Sequence, residues 1–431
     1  LRNSGQLSHT ITSLGGSSSF DNNTSLNASL VTDDHRAGLY IFGQNRYRSG
    51  YDYDGDGFTE LPKLKNQTVG FRSYLKTSTY SKLTFEYHHM QEFRRGGDML
   101  DRPPHEAHIA EQLQHSIDGG SLKFDYFSPD EKNRLSIFAS AANTDRDSYY
   151  GPGNDPLKAY GKTTDLTAMG GAQYVHTFDK CFFMPSDLTA GLEYNRDRLK
   201  DNMWGYDRHT DQTVNIYSAF LQNEWKNDRW GILIGGRLDK HNLIDHIIFS
   251  PRANLRFNPT QNINLRLSYS SGFRAPQAFD EDLHVENVGG NVAMVELAKD
   301  LKEERSQSLS ASADIYHRFG AFQINFLVEG FYTKLSDVFA LTDGEVKDGI
   351  LTRTRYNAPG ARVMGLTLEG KMAYLNKFQI QAGATLQQSH YSEPHVWNKE
   401  APAVKKMMRT PNTYGYFTAT YTPIKPLSIA L

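Results

Sequence analysis

The chain has 431 residues, 47 Lys and Arg against 49 Asp and Glu, and 38% hydrophobic residues, a balance that gives no reason to expect a nucleic acid as partner. Its single cysteine, Cys181, excludes an intrachain disulfide and a zinc site built from several cysteines, and no stretch approaches the about 18 apolar residues of a membrane helix. Aromatic residues make up 12% of the chain, which suits β-strands and interfacial girdles better than a helical enzyme.

Apolar and polar residues alternate in many short segments, a pattern that predicts an all-β protein. In one such segment Leu83, Phe85 and Tyr87 occupy every second position and polar residues lie between them. A first strand is expected near Ser8 to Leu14. About eighteen further strands are predicted near 24–32, 36–47, 67–76, 80–90, 119–127, 133–143, 165–178, 187–197, 214–226, 230–239, 248–257, 262–271, 304–317, 321–334, 361–373, 377–389, 413–422 and from 427 onward.

The connections between these strands alternate between short and long. Long ones are predicted over 48–66, 91–118, 144–164, 198–213, 272–303, 335–360 and 390–412. A soluble sandwich has no reason to keep its long loops at one end, whereas a transmembrane barrel has short periplasmic turns and long extracellular loops. Because lipid offers no hydrogen-bonding partner, such a sheet must close on itself. We therefore expect a transmembrane antiparallel β-barrel in which Leu83, Phe85 and Tyr87 face lipid and Lys82, Thr84 and Glu86 face the lumen.

The first long connection carries carboxylates at alternate positions, Asp52, Asp54 and Asp56, followed by Glu60. Such a spacing around a glycine turn lets the carboxylates converge on one hard cation, as in the first half of a calcium loop. A complete EF-hand is rejected, because the twelfth position holds Lys63 instead of a bidentate glutamate. Two interpretations stay open: an Asp- and Gly-rich hairpin loop, and a calcium site completed by Glu60 or by a neighbouring loop.

The second long connection contains His105 and His108, and Ile109, Leu113 and Ile117 follow at helical spacing. This spacing predicts a short loop helix. The zinc-protease pattern His-Glu-x-x-His fails, because Ile109 stands at its fifth position. A solvated loop helix and ligand contact by either histidine are the two interpretations.

A Phe-Arg-Ala-Pro tetrad at 273–276 ends an alternating strand, and the step Leu-Lys-Glu-Glu at 301–304 leads into the next strand after a long polar loop. This combination resembles the TonB-dependent outer-membrane receptors. Gly-Gly-Arg-Leu-Asp at 235–239 and Ser-Pro-Arg-Ala-Asn-Leu at 250–255 are similar to the same family. The family's Asn-Pro-x-Leu-x-Pro-Glu consensus would fall on 298–304, where both prolines are missing. The resemblance covers the chain from about Gly231 onward, and the earlier part fits by the rhythm of its strands.

The resemblance implies a barrel of the 22-stranded type, of which residues 1–431 would form a partial domain, without the N-terminal plug that carries the TonB-contacting box and without the last strands. It implies a location in the outer membrane of a Gram-negative bacterium. The partners it implies are TonB through the plug, a metal-chelate ligand, outer-membrane lipid and, as an open alternative, a surface lipoprotein.

By the same resemblance, the protein would be a receptor for active uptake of a scarce metal chelate. The sequence has no nucleophile elbow, phosphate-binding loop or dinucleotide fingerprint, so we expect no enzyme and no catalytic cofactor. A passive porin, a surface adhesin and an outer-membrane hydrolase are the alternatives. Loop aromatics and arginines suit a flat, often anionic chelate, although Tyr149 and Trp204 fit a membrane girdle equally well. The candidate ligand-binding residues are Arg94, Arg95, Tyr149, Tyr150, Trp204, Phe273, Arg274 and His284.

Three chelates fit the resemblance: a ferric siderophore, haem and cobalamin. His284 falls where haem receptors of this family place a ligand histidine, and a neutral imidazole can coordinate haem iron axially. The missing consensus near Ala298 argues against haem. The Asp-rich loop favours cobalamin, because cobalamin receptors of this family use calcium to order their outer loops.

Overall fold

The computed structural model describes residues 3–15, 19–152, 159–288, 291–342, 344–347, 350–375, 377–396, 402–408, 410–425 and 427–430. Within them the chain forms 23 strands, one helical turn, α1 (Asp280–Leu283), and two 3-10 turns at Pro104–Glu106 and Trp204–Tyr206. The strands are β1 (Ser4–Ser13), β2 (Phe20–Val31), β3 (Ala37–Arg48), β4 (Lys63–Ser78), β5 (Ser81–Gly97), β6 (Ile109–Phe127), β7 (Asn133–Pro152), β8 (Tyr160–Cys181), β9 (Met184–Met203), β10 (Arg208–Lys226), β11 (Trp230–His241), β12 (Ile248–Thr260), β13 (Ile263–Arg274), β14 (Glu286–Val288), β15 (Asn291–Leu297), β16 (Glu304–Phe319), β17 (Phe322–Leu341), β18 (Glu345–Lys347), β19 (Ile350–Tyr374), β20 (Phe378–His395), β21 (Val404–Lys406), β22 (Thr413–Ile424) and β23 (Leu427–Ala430).

All described strands belong to one sheet. The short strands β14, β15, β18 and β21 lie within connections, and the other nineteen pair antiparallel with their neighbours in chain order. The sheet is curled, because Arg208 of β10 and Arg355 of β19 both contact Asp282. In a flat sheet these strands would lie about 29 Å apart, six steps of about 4.8 Å, which the two side chains cannot bridge. The expected antiparallel barrel is confirmed.

The sheet has an apolar outer face and a polar lumen face, because side chains alternate along each strand. On β5, Phe85 and Tyr87 lie on the surface, and Phe85 pairs in register with the exposed Leu122 of β6. Thr84, which precedes Phe85, is only 9% exposed. Phe71 of β4 packs against both aromatic rings, with centroid distances of 5.5 Å to Phe85 and 6.3 Å to Tyr87. An apolar outer face of this kind is typical of a surface that contacts lipid.

Short and long connections lie at opposite ends of the barrel. At one end, two residues each join β4 to β5, β8 to β9, β12 to β13 and β16 to β17. At the other end, which we call the mouth, lie the connections 49–62, 98–108, 275–303 and 396–412. The alternation expected from the sequence is therefore present.

The long connections predicted at 91–118, 144–164, 198–213 and 335–360 are mostly strand, and these predicted bounds were wrong. β6 to β10 have 19, 20, 22, 20 and 19 residues, although a tilted strand needs only about 9–11 residues to span a membrane. The wall of the barrel thus continues well beyond the apolar band. Its outer face is polar there, so the apolar alternation on which the prediction depended ends before the strands do.

The loop helix predicted around Ile109, Leu113 and Ile117 is also wrong. A single 3-10 turn ends at Glu106, and β6 begins at Ile109. Residues four apart share a face of a helix, but an even spacing also places them on one face of a strand. Leu113 indeed pairs with Arg94 of β5. Among the residues described, no helix is long and apolar enough to cross a membrane.

Candidate functional site

The connection 275–303 carries the turn α1 into the mouth. Asp282 closes this turn on itself, because its Oδ2 accepts the N–H of Phe279 at 2.9 Å and its own N–H donates to the Phe279 carbonyl at 2.9 Å. Asp282, Leu283 and Val285 are all buried. A buried turn needs partners for its polar groups, and two strands of the wall supply them.

Two arginines hold α1 from opposite parts of the wall. Arg208 donates from Nη2 to the Leu283 carbonyl at 2.8 Å and from Nη1 to the Asp282 carbonyl at 3.4 Å. Arg355 Nη2 lies 2.6 Å from Asp282 Oδ1. All of these side chains are buried, so the ion pair is shielded from water and holds the turn in place through charge-assisted hydrogen bonds.

Asp201 of β9 extends this network along the lumen face. Its Oδ2 accepts from Arg208 Nη2 at 3.0 Å, and its Oδ1 accepts from Thr163 at 2.6 Å. Arg146 Nη2 lies 3.8 Å from Oδ1, and Arg146 Nε donates to Thr163 Oγ1 at 3.1 Å. Asp201 is only 1% exposed, and a carboxylate so deeply buried remains charged only with such partners.

A cleft of about 420 Å³ lies beside α1 at the mouth. It brings together four residues that the sequence had singled out: Glu60, Arg94, Tyr150 and His284. The other lining residues are Thr59, Pro62, Gly96, Gly97, Ile109, Ala110, Glu111, Leu113 and Val285. The cleft therefore combines an aromatic ring, an imidazole and a guanidinium with acidic side chains at its rim.

Tyr150 and His284 form the aromatic wall of this cleft. Their rings meet edge to face with centroids 5.2 Å apart, and Tyr150 packs in an apolar cluster with Met203, Val285 and Met294. The carbonyl of Tyr150 accepts from the hydroxyl of Tyr206 at 2.6 Å. The packing holds both rings against a rigid wall and leaves His284 partly accessible.

Side chains alternate between the two faces of a strand. Within each pair of adjacent candidate residues, Arg94 and Arg95 or Tyr149 and Tyr150, only one side chain therefore faces the cleft. Arg94 lines the cleft and pairs with Glu92 at 2.6 Å, whereas Arg95 lies on the opposite face, 1% exposed, and donates to the carbonyls of Gly96 at 2.7 Å and Asp98 at 3.1 Å. Tyr149 is likewise fully buried, in a cluster with Ala107, Ala110 and Ala159. Arg95 and Tyr149 thus pack beneath the connection 98–108 and do not face the cleft.

Asp98 anchors that connection. It accepts the N–H groups of His108 and Ile109 at 3.0 and 3.1 Å, and His108 Nδ1 lies 2.5 Å from Asp98 Oδ2. Burial raises the pKa of Asp98, but the hydrogen bonds from His108 and Ile109 outweigh burial and hold the pKa below its ordinary value. His105 contacts the hydroxyl of Tyr160 at 2.9 Å, so both loop histidines have structural partners.

The Phe-Arg-Ala-Pro tetrad fixes the point where the connection 275–303 leaves β13. Phe273 packs against Ile244, Ile248 and Ala275. The guanidinium of Arg274 lies 4.0 Å from the centroid of the Phe279 ring, a cation–π contact that links the strand end to the start of α1. In this arrangement the tetrad supports the turn and lies outside the cleft lining.

Trp204 occupies the tip of the connection between β9 and β10 at the mouth. It begins the 3-10 turn that ends at Tyr206, and its side chain is 56% exposed. An exposed indole at the mouth can stack on an arriving ligand, but Trp204 does not line the cleft beside α1.

The Asp-rich connection forms a tight turn around its glycines. Asp52 accepts the N–H groups of Gly55 and Gly57 at 2.7 and 2.9 Å, and both glycines have positive φ angles, 79° and 94°, which only glycine adopts readily. Carboxylate oxygens of Asp52, Asp54, Asp56 and Glu60 lie within 4.8 Å of one another. These hard oxygen donors fit the chemistry of a calcium ion.

The buried ionic network was missed by the sequence reasoning. Asp201, Arg208 and Arg355 fell in segments predicted as loops, where no face could be assigned to a side chain. Strand alternation could have placed Asp201. Leu192 of β9 lies on the outer face, and Asp201, an odd number of residues further along the strand, therefore lies on the lumen face.

Comparison with known proteins agrees with this architecture. Residues 2–428 match the family model described as TonB dependent receptor-like, beta-barrel. No curated protein matches the chain in sequence.

Solved structures share the fold. The siderophore receptor PirA from Pseudomonas aeruginosa is 13% identical with a TM-score of 0.66, and the match covers 96% of this chain and 72% of that one. PirA from Acinetobacter baumannii is 14% identical with a TM-score of 0.75, covering 98% and 67%. A mutant of the ferric enterobactin receptor PfeA from P. aeruginosa is 14% identical with a TM-score of 0.75, covering 99% and 66%. At these identities the likeness is one of fold.

Proposed function

Because the chain belongs to the family of TonB-dependent receptor β-barrels, outer-membrane proteins of Gram-negative bacteria without catalytic activity, we propose that it takes up a scarce metal chelate actively. TonB, acting through a plug domain, supplies the energy in this proposal. A surface lipoprotein that delivers the chelate is a further proposed partner.

The observation that carries the proposal is the convergence of Arg94, Tyr150 and His284 on one cleft at the mouth. Aromatic faces stack on flat ligands, and a guanidinium binds anionic oxygens through paired hydrogen bonds. A ferric siderophore offers both features. The similar structures include siderophore and ferric enterobactin receptors, which supports testing siderophores first.

Calcium has a place in this proposal. The Asp-rich connection touches the cleft through Glu60, so an ion held by Asp52, Asp54, Asp56 and Glu60 would fix one rim of the cleft. Without a cation the clustered carboxylates repel one another. We therefore propose that calcium tightens ligand binding.

The experiment is a titration of the detergent-solubilised receptor with a panel of ferric siderophores, haem and cyanocobalamin, followed by intrinsic tryptophan fluorescence. We expect one chelate to bind with micromolar or better affinity and Arg94→Ala to weaken it. If haem is that chelate, His284→Ala should alter the Soret band. A His284→Ala variant with unchanged haem affinity and Soret band would exclude axial ligation.

Uptake in cells separates a receptor from a passive porin. Accumulation of the radiolabelled chelate should require TonB and should saturate. Equal accumulation in cells with and without TonB would overturn the proposal in favour of a pore.

A further inference from the structure

Four basic side chains form a row across the outer face near the mouth. Lys334 of β17 pairs in register with Arg362 of β19, Arg362 pairs with His390 of β20, and His390 pairs with Lys406 of β21. Residues directly opposite each other in a ladder share one face of the sheet. We call Lys334, Arg362, His390 and Lys406 the basic row.

The basic row lies directly above an apolar column on the same face. On β17, Phe322, Ile324, Phe326 and Tyr332 are between 37% and 43% exposed and share the even-numbered face with Lys334. At about 3.3 Å per residue and a tilt of about 45°, Phe322 to Tyr332 spans about 23 Å along the membrane normal. That height is close to the apolar band of about 25 Å of an outer-membrane barrel. The basic row therefore lies at the level of the lipid headgroups.

The described residues give the row no acidic partner. Within the described part of the chain, no ion pair or side-chain hydrogen bond involves Lys334, Arg362 or Lys406, and His390 Nδ1 is buried without a hydrogen-bond partner. Like charges placed directly opposite each other on a sheet are destabilising. A bound anion would therefore stabilise the row.

Some basic side chains elsewhere on the outer face do have acidic partners. Arg198 Nη1 lies 2.6 Å from Asp211 Oδ1 on the neighbouring strand, and His89 Nδ1 lies 2.8 Å from Asp118 Oδ1. In the described ladder no carboxylate stands directly opposite a member of the basic row.

We propose that the basic row binds the phosphate groups of an anionic lipid in the outer leaflet of the outer membrane. A guanidinium and two ammonium groups are the side chains that bind phosphate. Neighbouring strands are about 4.8 Å apart, so adjacent cations reach the same phosphate group. The lipid supplies this phosphate, because the row continues the face whose apolar column contacts acyl chains.

The test compares two triple variants of the solubilised receptor. The first, Lys334→Gln with Arg362→Gln and Lys406→Gln, neutralises the row. The control, Lys162→Gln with Arg196→Gln and Lys200→Gln, removes the same charge from the outer face of β8 and β9. There Asp147 stands opposite Lys162 and Asp211 stands opposite Lys200. The probes are fluorescently labelled lipid A, its dephosphorylated form, and inorganic phosphate as competitor.

A cation at a lipid surface contributes a factor of about five in affinity. We therefore expect the row variant to bind lipid A at least about tenfold more weakly, and the control variant and dephosphorylated lipid A to show no such difference. Equal affinity of both variants, or an equal loss in both, would overturn the proposal. Competition by millimolar inorganic phosphate would identify a free-anion site instead, which also overturns it. The single variant Arg362→Gln, with an expected loss of about fivefold, keeps the test decisive if the triple variant does not fold.

Discussion

Asp282 and Arg355 form a buried ion pair, 2.6 Å long, that joins the turn α1 to β19 across the mouth of the barrel. Removing one partner of such a pair leaves an uncompensated charge in the interior, at a cost of about 3–5 kcal/mol. The pair therefore determines where the connection 275–303 rests.

Arg355→Met should release that connection. We expect faster amide hydrogen exchange over 275–303 with little change in the strands near the short turns, because the loss is confined to the mouth. Arg362→Met, on the outer face of the same strand, is the control and should leave the exchange of 275–303 unaltered. Unchanged exchange in Arg355→Met would mean that the ion pair does not hold the turn.

Arg94→Ala and Arg95→Ala should have different effects although the residues are adjacent: the first on ligand binding, the second on stability of the connection 98–108. Arg94 lines the cleft, and loss of a hydrogen bond to a charged ligand group costs about 1.5–3 kcal/mol of binding, which calorimetry with the transported chelate would detect. Arg95 is buried beneath the connection 98–108, so its removal should expose that connection to proteases and leave affinity unchanged. If Arg95→Ala weakens binding more than Arg94→Ala, the cleft is wrongly placed.

The double variant Asp54→Ala, Asp56→Ala should abolish calcium uptake by the first long connection. The double variant keeps only two of the four clustered carboxylates. Two carboxylates are too few to replace the hydration shell of the calcium ion. Isothermal calorimetry with calcium chloride measures the effect, and Asp101→Ala, an exposed aspartate in the neighbouring connection, is the control. Calcium uptake that is equal in wild type and double variant would refute the site.

Acid should loosen the connection 98–108. The pKa of Asp98 in the folded protein lies below its ordinary value of 3.8, so the unfolded connection binds a proton more readily than the folded one. This contribution to stability is complete well above pH 3.8 and decreases as the pH falls below 3.8 towards the folded pKa. Limited proteolysis between pH 6 and pH 3 should show cleavage at 98–108 only at the acid end, and Asp98→Asn should remove this dependence.

Cysteine labelling checks which face of β5 contacts lipid. Phe85→Cys should react with a lipid-soluble maleimide and Thr84→Cys with a water-soluble one, because the two side chains point to opposite faces. Reaction of position 84 from the bilayer would show that the register is wrong.

The sequence predicted the barrel because alternation and turn chemistry act locally. Leu83, Phe85 and Tyr87 show their common face without reference to any other strand. The ionic network could not be found in this way. Arg208 and Arg355 are far apart in the chain and meet at Asp282 only because the sheet curls. The alternation of apolar and polar residues along each strand carries no information about that curvature.

For a related reason, only three of the eight candidate ligand-binding residues line the cleft: Arg94, Tyr150 and His284. Arg94 and Arg95, or Tyr149 and Tyr150, were selected as pairs because a loop gives neighbours equal access to a ligand. The segments are strands, and a strand sends neighbours to opposite faces. Once β5 is known to extend to Gly97, parity alone separates Arg94 from Arg95.

The continuation of β6 to β10 beyond the apolar band has a consequence for how this receptor can change over evolution. In a flexible loop, insertions of any length are tolerated, but one residue added to a paired strand turns every later side chain to the other face. A single-residue insertion in β7 before Arg146 would move Tyr150 out of the cleft and carry Tyr149 into it. Length changes among descendants of this receptor should therefore come in even numbers within these walls, and in any number within the connection 98–108.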